Sequence, residues 1–186
     1  MTRIVIAYHS GYGHTKKLAE AVREGAAGVP GASAQLLPVD EIDAQGWHAL
    51  EAADAIVFGA PTYMGGPSAQ FKTFADASAK AWFSGLWRDK LAGGFTCSLS
   101  MSGDKFSTLT YLATLAMQHG MVWVGTGTMP AQRPGAPDEI NRLGGWYGVM
   151  AQADNVPPEI SPPKGDVDSA LAYGRRIAGF AQRLRG

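Results

Sequence analysis

The stretch Arg3–Thr15, RIVIAYHSGYGHT, constrains the chain more than any other. Arg3–His9 is a short apolar run with β-branched Ile4, Val5 and Ile6, and it reads as a buried parallel strand. Ser10-Gly11-Tyr12-Gly13-His14-Thr15 follows, and then Leu18, Ala19, Val22 and Ala26 at helical spacing. A strand, a loop of glycines and hydroxyls, and a helix N-terminus make an anion site. The loop amides and the Ser10 and Thr15 hydroxyls are expected to turn inward, and the helix dipole adds positive potential. The loop is not a Walker A, because His14 rather than lysine precedes Thr15. The Gly-x-Gly-x-x-Gly dinucleotide fingerprint also fails, because Lys16 stands where the third glycine belongs. What remains suits a monophosphate on a cofactor other than a nucleoside triphosphate.

Four more apolar runs follow at strand length: Ser33–Val39, Ala55–Ala60, Lys90–Ser98 and Met121–Gly125. Helical spacing lies between and after them, over Asp40–Ala53, Ser68–Phe83, Thr108–His119 and Val167–Arg185, with Asp166 as the expected N-cap of the last. Gly93-Gly94 predicts a close approach or a bulge within its strand. Thr126–Gly165 is rich in Gly and Pro and shows little period. Five strands alternating with helices predict an α/β three-layer sandwich: a five-stranded parallel sheet in order 2-1-3-4-5 with helices on both faces. Residues 1–186 are expected to form a single domain.

Composition narrows the function classes. Hydrophobic residues make up 46% and charged residues 17%, which excludes a disordered chain. The formal net charge is zero, so no basic field awaits nucleic acid. The one cysteine, Cys97, is expected to be a buried strand residue, and no cluster of metal-ligand residues is apparent. No apolar run reaches the ~20 residues of a membrane span, and the chain opens directly into a strand. The expectation is a cytoplasmic protein with no membrane partner.

In a doubly wound sheet ligands sit outside the carboxyl ends of the strands near the switch point. There this chain places Ser10–Thr15, Pro61-Thr62-Tyr63-Met64-Gly65-Gly66-Pro67, and Ser98-Leu99-Ser100-Met101-Ser102-Gly103-Asp104. Small backbone donors and flat side chains converge, which fits a planar heterocycle with a phosphate tail. The motifs Tyr8–Thr15, Gly59-Ala60-Pro61-Thr62-Tyr63-Met64-Gly65 and Gln118-His119-Gly120-Met121-Val122 resemble the FMN-binding loops of WrbA-type NAD(P)H:quinone oxidoreductases, of the flavodoxin-like superfamily. The likeness continues through Phe71-Lys72-Thr73-Phe74, Ala81-Trp82-Phe83-Ser84-Gly85 and Arg142-Leu143-Gly144-Gly145-Trp146-Tyr147-Gly148, almost the whole chain.

The resemblance implies that Ser10, Gly11, Tyr12, Gly13, His14 and Thr15 hold the FMN phosphate. It implies that Pro61, Thr62, Tyr63, Met64 and Gly65 run along the isoalloxazine edge, and that Ser98, Ser100, Ser102, Gly103 and Asp104 form the third cofactor loop. Tyr12 and Trp82 would flank the substrate side of the ring, and His119 would lie near the flavin, from a neighbouring subunit or from its own helix end. The sequence departs from the family at Tyr63, where arginine is usual. It departs again at Ser100–Lys105, where a glycine run ending in Gln-Glu is usual. The implied function is two-electron reduction of quinones by NAD(P)H through FMN, in a homo-oligomer, dimer or tetramer. The alternatives are a flavodoxin-type electron carrier and a general NAD(P)H-dependent flavin reductase. One acid, Asp104, stands in these loops against Lys105 and His14, so the local field should be neutral or slightly positive.

Overall fold

The computed structural model describes residues 1–133 and 136–185. Four long strands form the sheet: β1 (Thr2–Tyr8), β2 (Ala32–Pro38), β3 (Ala55–Tyr63) and, after a two-residue β4 (Gly66–Pro67), β5 (Leu91–Ser98). They are parallel and lie in the order β2-β1-β3-β5. The fifth position is shared by two short segments. β6 (Val122–Trp123) pairs with Leu91 and Ala92 at the start of β5, and β7 (Val149–Gln152) pairs with Phe95–Ser98 at its end. The architecture is the α/β flavodoxin-like fold expected from the sequence, with its last strand broken by residues 124–148.

Side chains alternate across the strands, and so the sheet builds two cores. Ile4, Ile6, Tyr8 and Val57 face α1 (His14–Ala27) and α6 (Lys164–Arg185). Val5, Ala7, Ile56 and Phe58 face the other layer, α2 (Ala44–Ala52), α3 (Ala69–Ala77), α4 (Ala79–Phe83) and α5 (Lys105–Gln118). The single helix expected over Ser68–Phe83 is thus two, with Ser78 between them. α1 and α6 approach closely, because a methyl group on Gly25 would overlap the Leu171 carbonyl and one on Gly174 the Val22 carbonyl.

Asp166 is not the N-cap of the last helix. α6 begins two residues earlier, and Asp166 is buried beneath it against Arg142. The broken strand leaves a seam between β6 and β7, and Tyr173 closes it. Its phenol accepts the Gly94 N–H at 3.2 Å and donates to the Val124 carbonyl. Gly93 and Gly94 lack side chains because Tyr173, Trp123 and Leu112 occupy that space. Tyr173→Phe removes the oxygen and leaves two buried backbone groups unpaired. It should cost about 2–4 kcal/mol in urea unfolding. A loss under about 1 kcal/mol would mean that water replaces the phenol.

Candidate functional site

At the carboxyl ends of the strands, β1 runs into His9–Gly13 and the start of α1. Gly13 takes a left-handed conformation (φ 90°), which only glycine adopts without strain, and lets the chain turn into the helix. Ser10 Oγ accepts the N–H groups of Gly13 and Lys16, both at 3.1 Å. The N–H groups of His14 and Thr15 have no partner among the described residues, at the positive end of the α1 dipole. Of the two hydroxyl residues expected to face a ligand, Thr15 lies at the cleft wall. This residue is 2% exposed, and its hydroxyl lies 3.3 Å from Cys97 Sγ. Burial pushes the Cys97 thiol up to about 11, so it is an inert neighbour. His9 ties this loop to the next through a buried 2.8 Å contact between Nδ1 and Ser68 Oγ.

The second loop is a hairpin rather than an open edge. Met64 (φ 48°) and Gly65 (φ 81°) form a two-residue turn with both angles positive, and Tyr63 and Thr62 pair with Gly66 and Pro67. Met64 is fully exposed and points out of the site. Thr62 Oγ1 lies 2.7 Å from Thr96 and 2.8 Å from Thr108, a buried hydroxyl trio that fixes the base of the hairpin. Tyr63 folds back over Gly11, whose amide hydrogen-bonds its phenol, and burial raises its pKa. Tyr12, 77% exposed, meets the Tyr63 ring edge-on at 6.3 Å.

Between these loops lies a cleft of about 510 Å³, within the ~300–1,000 Å³ usual for small-molecule sites. Tyr12, His14, Thr15, Pro61, Thr62, Tyr63 and Ser98 line it, as the sequence led us to expect. Ser100, Ser102, Gly103 and Asp104 do not; their turn closes on the Lys105 side chain instead. The wall that sequence reasoning missed is Ala153–Pro158, which follows β7. It is strapped to α1, for His14 Nε2 donates to the Val156 carbonyl at 2.8 Å and Lys17 Nζ reaches the Glu159 and Pro162 carbonyls at 3.3 Å. The alternation of Val149 and Ala151 inward was its only sequence signal.

Trp82 and His119 are not brought to this cleft in their own chain. β5 separates them from it, roughly 25 Å of extended chain. Gly120 beside His119 accepts from Asp89 just before β5, and Trp82 lies in the segment that precedes it. His119 is 5% exposed, stacks on Trp87 at 4.1 Å, and contacts Ser78 Oγ at 2.9 Å. The Ser78 hydroxyl donates to the Ala75 carbonyl, so it must accept from His119 Nε2–H. Nδ1 is then a bare lone pair with no partner among the described residues, and burial lowers the imidazole pKa to about 4. Trp82 and Phe83 are 54% and 87% exposed, whereas Trp87 is core.

Residues 4–133 match a family model described as NADPH-dependent FMN reductase. The chain is 42% identical to "Flavodoxin FldP" of Pseudomonas aeruginosa (strain UCBPP-PA14), with 99% of each chain covered. It is 34% identical to an "NAD(P)H dehydrogenase (quinone)" of Geobacter sulfurreducens, covering 98% of this chain and 99% of that one. Among solved structures it is similar to a flavodoxin, WrbA-like protein from Agrobacterium tumefaciens, at 46% identity and a TM-score of 0.78, covering 98% and 99%. A flavodoxin from the domain Archaea shares the fold at 16% identity, with a TM-score of 0.68.

Proposed function

Because the chain belongs to the NADPH-dependent FMN reductase family, we propose that it binds FMN and passes a hydride equivalent from NAD(P)H to a quinone. The observation that carries this reading is the cleft itself. It joins unpaired amides at the α1 N-terminus to the apolar and aromatic surfaces of Tyr12, Tyr63, Leu99, Val156 and Pro157. The residues fit a flavin mononucleotide. The His14 and Thr15 amides would hold the phosphate, and the flat walls would take the ring. The relatives named NAD(P)H dehydrogenase (quinone) support the same reading.

The cofactor, when bound, supplies the hydride chemistry; the chain supplies binding, orientation and electrostatics. Ser10 organises the phosphate turn by holding the Gly13 and Lys16 amides. Tyr63 packs its phenol against Gly11, where a side chain would collide with it. The Thr62 trio fixes the hairpin at the ring edge. Nicotinamide and quinone use the open side next to Tyr12 in turn, which predicts ping-pong kinetics. Ser10→Ala should weaken FMN roughly ten- to a hundredfold, read by quenching of flavin fluorescence on titration of the apoprotein. Unchanged affinity would place the phosphate elsewhere.

A second reading is favoured by one finding, the 42% identity to a protein named flavodoxin: an electron carrier without a substrate pocket. NAD(P)H oxidation on addition of benzoquinone separates the two, because a carrier shows none without a partner reductase.

The exposed Trp82 and Phe83 support a homo-oligomer, dimer or tetramer, in which Trp82 and the helix end that carries the buried His119 approach the cleft of another copy. Light scattering at micromolar concentration should give a mass well above the 19.6 kDa of one chain. A mass of one chain would remove Trp82 and His119 from the site.

A further inference from the structure

His9, the residue directly after β1, is 5% exposed and holds the hairpin segment at both of its ends. Its N–H donates to the Gly59 carbonyl at 3.0 Å, which carries the β1–β3 pairing one residue further. Side chains alternate along an extended chain, so His9 falls on the face of Val5 and Ala7, towards the layer that contains α3. There its Nδ1 meets Ser68 Oγ at 2.8 Å. Between Gly59 and Ser68 lie the end of β3, the Met64-Gly65 turn and β4. β5 supports Ala60 and Pro61 from the far side, and the Thr62 trio ties the base to β5 and α5. On the side of the phosphate turn, the tie at the base is His9.

Ser68 shows that this tie has displaced a local one. A serine in front of a helix ordinarily accepts a free N–H of the first turn. Ser68 stands at the N-cap of α3 and makes no such bond. The Gln70 and Phe71 N–H groups, which a cap would take, have no partner among the described residues. The Ser68 hydroxyl, 1% exposed, is committed instead to a ring 59 residues away. A second tie lies at the hairpin tip, where the Gly11 N–H hydrogen-bonds the Tyr63 phenol. His9 and Gly11 flank Ser10, whose oxygen holds the Gly13 and Lys16 amides. Three consecutive residues thus join the phosphate turn to the hairpin: residues 9 and 11 hold the hairpin, and residue 10 holds the turn.

We propose that His9 is a positioning residue that fixes the spacing between the phosphate turn and the hairpin, so that a ligand with an anionic end and a flat ring is gripped at both ends at once. The proposal rests on the FMN reading above and deepens it, because it names the residue that makes the site favour phosphate and ring on one molecule. The physical cause is effective concentration. A ligand held at one end gains full binding at the other only where the two subsites stand at a set distance. Loosening that distance lowers the gain and removes no group that touches the ligand.

The test compares wild type with His9→Leu, His9→Asn and Ser68→Ala. Each apoprotein is titrated with FMN and with riboflavin, which carries the same ring and no phosphate, and the quantity read is the ratio of the two affinities. His9→Leu and Ser68→Ala should lower the advantage of FMN over riboflavin by about tenfold, with riboflavin affinity itself moving by less than about threefold. His9→Asn should keep most of the advantage, because its side-chain amide places a polar atom where Nδ1 stands. In the apoproteins of His9→Leu and Ser68→Ala, amide hydrogen exchange over residues 62–66 should quicken while that of β5 stays as in wild type. Ser68→Ala removes one hydroxyl, and it decides the matter where His9→Leu fails to fold. Equal losses for the two flavins, or hairpin exchange at the wild-type rate, overturn the proposal and leave His9 a residue of the fold alone. Wild type that takes up neither flavin overturns the functional reading, whereas an FMN advantage that no variant reduces overturns the proposal and spares that reading.

Discussion

Asp166→Ala should cost the fold about 3–5 kcal/mol. Asp166 is 1% exposed and Arg142 6%. The guanidinium holds both carboxylate oxygens, Nε to Oδ1 at 2.8 Å and Nη2 to Oδ2 at 3.0 Å. Oδ2 also accepts the Gln152 N–H at 2.8 Å, and Arg142 Nη2 reaches the Gln152 side chain at 3.3 Å. Burial raises the Asp166 pKa, and Arg142 and the Gln152 amide pull it back. Removing the carboxylate leaves a buried guanidinium and an orphaned strand amide. The pair joins the residue 124–148 insertion, β7 and α6, so its loss also loosens the Ala153–Pro158 wall of the cleft. Urea unfolding should show a lower midpoint with the slope unchanged. The double variant Asp166→Leu with Arg142→Met should recover much of the loss, because it removes both charges. A double variant as unstable as the single one would show that shape rather than charge pairing decides this site.

How much of this was legible in the sequence depends on how local the cause is. β1, β3 and β5 are apolar because both sheet faces are covered, and that pattern needs no partner to be read. The Ser10–Thr15 turn was legible for the same reason: glycines and hydroxyls between a strand and a helix have few other uses. The split edge strand was not legible. β6 has two residues and β7 four, too short for periodicity, and the seam depends on Tyr173, 79 residues from Gly94. The insertion is organised by Asn141, left-handed in its backbone (φ 52°), whose side chain donates to the Thr128 carbonyl and accepts the Gly145 N–H. Aperiodic chain held by a polar hub looks like a plain loop. Asp166 was misread because an acid near a helix start suits a cap, and the partner that decides otherwise lies 24 residues away. Trp82 and His119 show another limit. A motif can say that a residue belongs to a site, but not which copy of the chain provides it.

The unfolding free energy should fall by about 3 kcal/mol between neutral pH and pH 4 on account of His119 alone. Its imidazole titrates near 6.5 in the unfolded chain and at about 4 in the folded one, because burial penalises the charged form. Between those values the unfolded chain binds a proton that the folded chain refuses. Stability is therefore fully present above pH 6.5 and is lost as the pH falls towards 4. Among the described residues no carboxylate softens the penalty; the ring's neighbours are Trp87 and Ser78. His9, whose pKa burial also lowers, acts in the same direction from the other end of the sheet. The clean measurement is therefore a difference between wild type and His119→Phe, which keeps a ring against Trp87 and carries no proton. Urea unfolding at pH 7, 5.5 and 4.5 should show the variant losing less stability on acidification, with the gap widening as pH falls. Parallel pH profiles would mean that His119 gains a proton without unfolding, through water or a neighbouring chain at its bare Nδ1. On the geometry within one chain, the ring is neutral at physiological pH and gives up no proton there. Nδ1 is enclosed within the chain, so acid that protonates it acts on folding.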